Sequence, residues 1–205
     1  MVTIRHVALA LACLPPVALA ETFHVGHDAK FVNVTFESQA DVETIVGKTS
    51  QATGAVQVQF DGASVTSASV SISVPVESLR TGIELRDEHL RQKEWLDAAQ
   101  FKEISFISRS VKPLEGGKKF EVVGDFSLHG VSKELKVVVE MKAIPEASSK
   151  KAGFPEGKWL KFSADFSVKL SDHGVKIPNG VVAKVSDTWT VKMVLIAGTA
   201  ALGKK

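Results

Sequence analysis

Along most of the chain, apolar and polar residues trade places at every second position. Gln57 and Gln59 interleave with Val56, Val58 and Phe60, and Ser69, Ser71 and Ser73 with Val70, Ile72 and Val74. A side-chain period of two belongs to a strand with one face buried and the other wet. The pattern returns at Phe120, Val122, Phe126 and Leu128, and at Leu135, Val137, Val139 and Met141. It returns again at Phe162, Phe166, Val168 and Leu170 and at Trp189, Val191, Met193 and Leu195, with Gly124 and Ala164 as small residues in the inner register. Shorter segments at Val32 to Phe36, Thr44 to Lys48 and Ile104 to Ile107 bring the tally to roughly eight strands or slightly more. That number predicts a mostly β fold, a closed antiparallel barrel.

Turn chemistry separates the strands at Asp61-Gly62, Pro113 through Gly117, His129-Gly130 and Pro178-Asn179-Gly180. The longest connection, Ala143 to Lys158, is rich in Ser, Lys, Gly and Pro and reads as an exposed loop. One segment breaks the alternation. Thr81 to Phe101 (TGIELRDEHLRQKEWLDAAQF) is polar and helical in pattern, with Leu79, Ile83, Leu90 and Trp95 as its apolar stripe, and Pro75 closes the strand before it. Such a stripe packs on a barrel wall or over one end, so the insertion is either a plug that completes the core or a lid over a pocket.

The inner face is Val, Phe, Leu, Ile, Met and Trp, without a charge and without tyrosine. Eight strands make a barrel at the size where side chains either fill the interior or leave room for one small ligand, and strand number leaves both open. A ligand held there would be held by apolar area. Where a head group emerges, Arg80, Arg86, Arg91 and Lys93 offer positive charge, but Glu84, Glu88 and Glu94 make a neutral, solvated helix surface the simpler reading.

Arg5 and His6 precede the apolar run Val7 to Leu19, and Ala18-Leu19-Ala20 places small residues before a cut at Glu21. Residues 1–20 thus read as a secretory leader, and the run is too short and too interrupted by Pro15 and Pro16 to span a bilayer. The single cysteine, Cys13, falls inside it, so residues 21–205 carry neither a disulfide nor a thiol nucleophile. Lipid attachment at Cys13 is the lesser alternative, because Ala10-Leu11-Ala12 matches the required pattern poorly. With 25 basic and 23 acidic residues the chain is nearly balanced, and nothing in it asks for a nucleic-acid partner.

Catalytic patterns are weak. Asp87 and His89, two apart on a helix, do not face each other, and no nucleophile accompanies them. Arg86, Asp87 and His89 are expected to fix the helix against the barrel, and His129 to tie down its own hairpin. His24 and His27, three apart in a strand, point to opposite faces, and His89, His129 and His173 have no metal-binding spacing. There is no glycine-rich phosphate cradle, no Gly-x-Ser-x-Gly elbow and no dinucleotide fingerprint. Asn33-Val34-Thr35 is a formal glycosylation sequon on a strand, read as accidental.

Two segments carry a family resemblance. Arg86, Asp87, His89, Leu90, Trp95, Asp97 and Ala98, with Leu128, His129, Gly130, Val131, Ser132 and Lys133, resemble the motifs of the YceI-like family, and the likeness runs from about Phe23 to Ile196. Departures fall at His27, Asp28 and Phe31, and at Trp95-Leu96, where paired aromatics are common. The resemblance implies a lipocalin-like barrel that encloses a polyisoprenoid lipid in the bacterial periplasm, with the helical segments near its mouth.

The reading is therefore a leader at 1–20 and one lipid-binding barrel domain at 21–205, an exported carrier rather than an enzyme. It would sequester a polyprenyl chain, an isoprenoid quinone or another long apolar lipid, need no cofactor, and touch a membrane only transiently. The expected wall comprises Val56, Val58, Phe60, Val70, Ile72, Phe126, Leu128, Val137, Phe162, Phe166, Trp189, Val191 and Met193, with Ile83, Leu90 and Trp95 from the helix. The alternatives are a packed barrel without cargo that binds another envelope protein and a metal-assisted hydrolase built on the histidines.

Overall fold

The computed structural model describes residues 20–62, 64–114 and 116–200; the leader up to Leu19, with Cys13, lies outside them. Ten strands follow one another: β1 (Glu21–Val25), β2 (Val32–Gln39), β3 (Thr44–Thr49), β4 (Thr53–Asp61) and β5 (Ser64–Pro75), then β6 (Glu103–Pro113), β7 (Lys119–Leu128), β8 (Val131–Ile144), β9 (Trp159–Lys169) and β10 (Thr188–Gly198). Two short helices interrupt them, α1 (Glu84–Arg91) between β5 and β6 and α2 (Glu146–Lys151) between β8 and β9.

All pairings are antiparallel, and β1 pairs with β10 as well as with β4. Eight strands, β1 and β4 through β10, thus close a ring. The remaining two form a hairpin outside it. β10 gives Ala197 and Gly198 to β1 and the stretch Trp189 to Leu195 to β2, and β3 continues outward from β2. Period-two patterning names strands but not their partners, so it does not reveal that β2 and β3 extend the wall instead of closing it.

Two crossings of the ladder are incomplete. β5 and β6 pair only from Ser71↔Ile107 to Pro75↔Glu103, and the next amide, Val70 N–H, donates to the Ser108 hydroxyl at 2.8 Å. A bulge between Ser108 and Ser110 re-aims β6 at that point. β8 and β9 pair only from Val139↔Ala164 to Ile144↔Trp159.

One end of the barrel is made of the β4–β5 and β6–β7 turns and the α2 connection. The segment Ala143 to Lys158, expected to be a loop, instead extends β8 and forms α2. Phe154 then packs against Phe31 and Trp159 at 4.5 and 4.6 Å, while the Trp159 indole donates to the Pro155 carbonyl at 3.0 Å. Gly198 must stay small, because a β-carbon there would lie 2.6 Å from the Trp159 ring. The other end carries α1, the β2–β3 hairpin and the β9–β10 connection.

Candidate functional site, an apolar cavity beneath a polar lid

The insertion is held over its end by backbone and by one buried carboxylate. Lys48 of β3 and Arg80 exchange both backbone hydrogen bonds, at 2.7 and 3.0 Å, and so carry the wall onto the lid. Asp87 accepts from the Thr81 amide and hydroxyl, both at 2.6 Å, in a site where only 5% of the residue is exposed. Burial alone would raise its pKa, but the two Thr81 hydrogen bonds and the charges of Arg80 and Arg91 prevail and hold it below the ordinary carboxylate value. Arg86 donates to Glu43 at 2.6 Å, tying α1 to the β2–β3 hairpin. Arg86 fixes the helix to a wall hairpin as expected, whereas Asp87 bonds within the insertion itself, to Thr81.

The helix is shorter than its pattern. It ends at Arg91, and a tight turn with Asp97 at φ +44° carries the chain back to the barrel. Leu96, without periodic signal, is buried against the barrel at 1% exposure beside Leu79 and Leu90 of the stripe, while Ile83 is 51% exposed. His129 also reaches further than its own hairpin. Its Nδ1 meets the His173 carbonyl at 3.2 Å, and His173 Nδ1 meets the Val131 carbonyl at 2.8 Å, stitching the β7–β8 turn to the β9–β10 connection. Among the described residues, no three histidines or carboxylates converge as metal ligands. β1 ends at Val25, so His27 lies beyond the strand and contacts the Ala200 carbonyl and the Trp159 ring.

Inside the ring lies a cavity with about 170 Å³ of space open to the centre of a water-sized sphere. Of its lining residues only Ser105 is polar. Val56 and Val58 of β4, Val70 and Ile72 of β5, Phe126 and Leu128 of β7 and Val137 of β8 face it, as do Phe162 and Phe166 of β9 and Trp189, Val191 and Met193 of β10. Four predicted wall residues do not. Phe60 sits past a register shift at Gln59/Phe60 and packs edge-on against Phe23 at 6.4 Å, while Ile83, Leu90 and Trp95 line a different cavity. Leu96, Phe36, Phe106 and Val65 join the wall unannounced; the last three lie on strands whose alternation was visible, whereas Leu96 owes its place to the turn.

The second cavity, of about 370 Å³, lies between the β2–β3 hairpin, α1 and residues 178–185. Its lining mixes Ile83, Leu90 and Trp95 with Glu43, Arg86, His89 and Lys184. Phe36 and Trp189 line both cavities and stack on each other with centroids 4.9 Å apart and planes 12° from parallel. An apolar barrel interior beneath a lid with a polar recess is suited to an extended hydrocarbon chain.

A sequence profile described as the YceI-like domain matches residues 24–197. The chain belongs to the YceI-like family. A UPF0312 protein of Shewanella sp. strain ANA-3 is 26% identical over 167 residues, covering 81% of this chain and 83% of that one. A UPF0312 protein of Pseudomonas fluorescens is 31% identical over 134 residues, or 63% of this chain and 65% of its own. Among solved structures, Burkholderia cenocepacia BcnA superposes with a TM-score of 0.66 at 22% identity, covering 82% of this chain and 98% of that one. A domain from Saccharophagus degradans, described as polyisoprenoid-binding and implicated in plant cell wall breakdown, gives 0.63 at 14% identity, covering 88% and 99%. At those identities the likeness is one of fold. This protein is a YceI-like barrel around an apolar cavity.

Proposed function

We propose that the protein is an exported carrier that encloses the tail of an isoprenoid lipid within its barrel and moves it through the periplasm by sequestration, without catalysis. The observation that carries this reading is the cavity, whose lining is apolar everywhere but at Ser105. A buried carbon contributes about 0.8 kcal/mol, so a five-carbon isoprene unit contributes about 4 kcal/mol. A tail of a few units offsets the roughly 4–15 kcal/mol that association costs. The solved neighbour described as polyisoprenoid-binding supports a prenyl tail in particular. The leader-like run before Glu21 supports export, and the secreted protein should begin at Glu21 when its N-terminus is sequenced.

The test is transfer. Delipidated protein is incubated with vesicles containing a labelled prenyl quinone, and the vesicles are then removed by flotation. Label should stay in solution in proportion to protein, and replacing Phe126 and Phe166 with Asp should return it to the vesicles. Label that floats entirely with the vesicles would overturn the reading.

A further inference from the structure

Val42, Ile83, Leu85 and Val182 are each more than half exposed, and they belong to the three segments that surround the second cavity. Val42 lies in the turn between β2 and β3, Ile83 and Leu85 at the start of α1, and Val182 in the connection from β9 to β10. The segments are fastened side by side. The Val42 amide donates to the Ala183 carbonyl at 2.9 Å, and Arg86 donates to Glu43 at 2.6 Å. Ile107 and Val138 are exposed too, but they stand singly on the outer wall, opposite Asp125 and Glu121 in the ladder. Scattered apolar side chains are ordinary on a protein surface, whereas a cluster around a cavity marks a contact surface.

The chemistry of this rim narrows what covers it. At about 60–120 Å² of apolar area for a whole Val or Leu side chain, the four fall short of the roughly 800 Å² per partner that a stable protein interface buries, and none is an aromatic anchor. Charges of both signs sit among them, Asp41 beside Val42, Glu84 beside Leu85 and Lys184 close to Val182, so there is no single-signed field for a polyanion or a basic peptide. Phe36 and Trp189, lining both cavities, connect the recess inside the rim to the barrel interior. We propose that the rim rests in the surface of a phospholipid bilayer, its aliphatic side chains among the upper acyl carbons, so that a tail passes between bilayer and barrel without crossing water. The inference rests on the carrier reading and adds how exchange is made. Each five-carbon isoprene unit exposed to water on the way would slow transfer about a thousandfold, and contact removes that barrier. Four aliphatic side chains grip a bilayer weakly and reversibly, as a shuttle requires.

Val42 and Val182 line neither cavity, so Val42→Asp combined with Val182→Asp tests the rim and spares the barrel's lining. Protein loaded with a labelled prenyl quinone is mixed with phosphatidylcholine vesicles, and the rate of transfer is followed as vesicle concentration rises. In wild-type protein the rate should climb with vesicle concentration, because exchange happens in collision. In the double variant it should fall about tenfold or more, with equilibrium affinity for the quinone within about twofold and the unfolding midpoint unchanged. Residues 21–205 hold no cysteine, so in protein beginning at Glu21 a polarity-sensitive dye on Val182→Cys reports the contact directly. Its emission should shift to the blue when vesicles are added, and the same dye on Val138→Cys should not respond. A transfer rate indifferent to vesicle concentration, or a double variant as fast as wild type, would overturn the bilayer assignment. So would a dye at Val182→Cys that shifts with protein concentration alone, which would make a second copy of the chain the occupant. Wild-type protein that takes up no quinone yet shifts the dye on vesicles would instead overturn the carrier reading and leave the docking surface standing.

Discussion

Ala164 gives the sharpest way to tell a pocket from a packed core. It is 5% exposed, pairs with Val139 and Met193 across the ladder, and faces the cavity among Phe120, Val137 and Met141. Ala164→Leu adds three carbons to that space. If the space is empty, each carbon leaves water for an apolar site at about 0.8 kcal/mol, less roughly 0.5–1 kcal/mol for the leucine rotamers that become fixed. The net is a gain near 1.5–2 kcal/mol in the delipidated protein, or about 3–8 °C in Tm for a domain of this size. The same carbons occupy the volume a tail would need, so prenyl-lipid binding should fall sharply. Stability and binding therefore move in opposite directions. In a filled core the substitution overpacks and costs about 1–3 kcal/mol. Thermal and urea unfolding of delipidated protein, paired with a lipid titration, decides it. A destabilised variant that still binds lipid at wild-type affinity would refute the reasoning.

Asp87→Ala strands the Thr81 amide and removes a charge-assisted pair of hydrogen bonds, so the urea midpoint should drop by the equivalent of about 2–4 kcal/mol. Because the folded pKa of Asp87 lies below its ordinary 3.8, its contribution is complete above that value and fades as pH falls through the lowered one. The gap between wild type and Asp87→Asn should accordingly be constant at neutral pH and shrink in acid; a gap that widens in acid would contradict the assignment. Ser108→Ala deprives the Val70 amide of its acceptor where the β5–β6 ladder stops, costing about 1 kcal/mol and quickening hydrogen exchange at Val70. Unchanged exchange there would mean that another group satisfies the amide.

The barrel was legible because its strands bury one face only, and a two-residue period survives wherever no bulge intervenes. Twelve of the sixteen expected wall residues face the main cavity for that reason. The exceptions are local. Phe60 lies beyond a register shift. Of the helix stripe, Leu79 and Leu90 pack against the barrel as expected and Ile83 does not, and where Leu96 lands depends on the turn at Asp97 and not on any repeat. β1 offers only five residues, too few for its pattern to stand out, though Phe23 and Val25 are among the most buried side chains. The exposed apolar rim has no trace in the sequence at all. Whether Val42, Leu85 and Val182 gather at one end depends on segments that lie far apart along the chain.

The central claim is that this barrel holds an isoprenoid lipid, and native mass spectrometry of protein purified from its own cells tests it most directly. The account predicts a stoichiometric adduct that solvent extraction releases as a prenyl lipid, and that is absent from Ala164→Leu. Protein that is reproducibly bare, and stays bare when prenyl lipids are added, would contradict it.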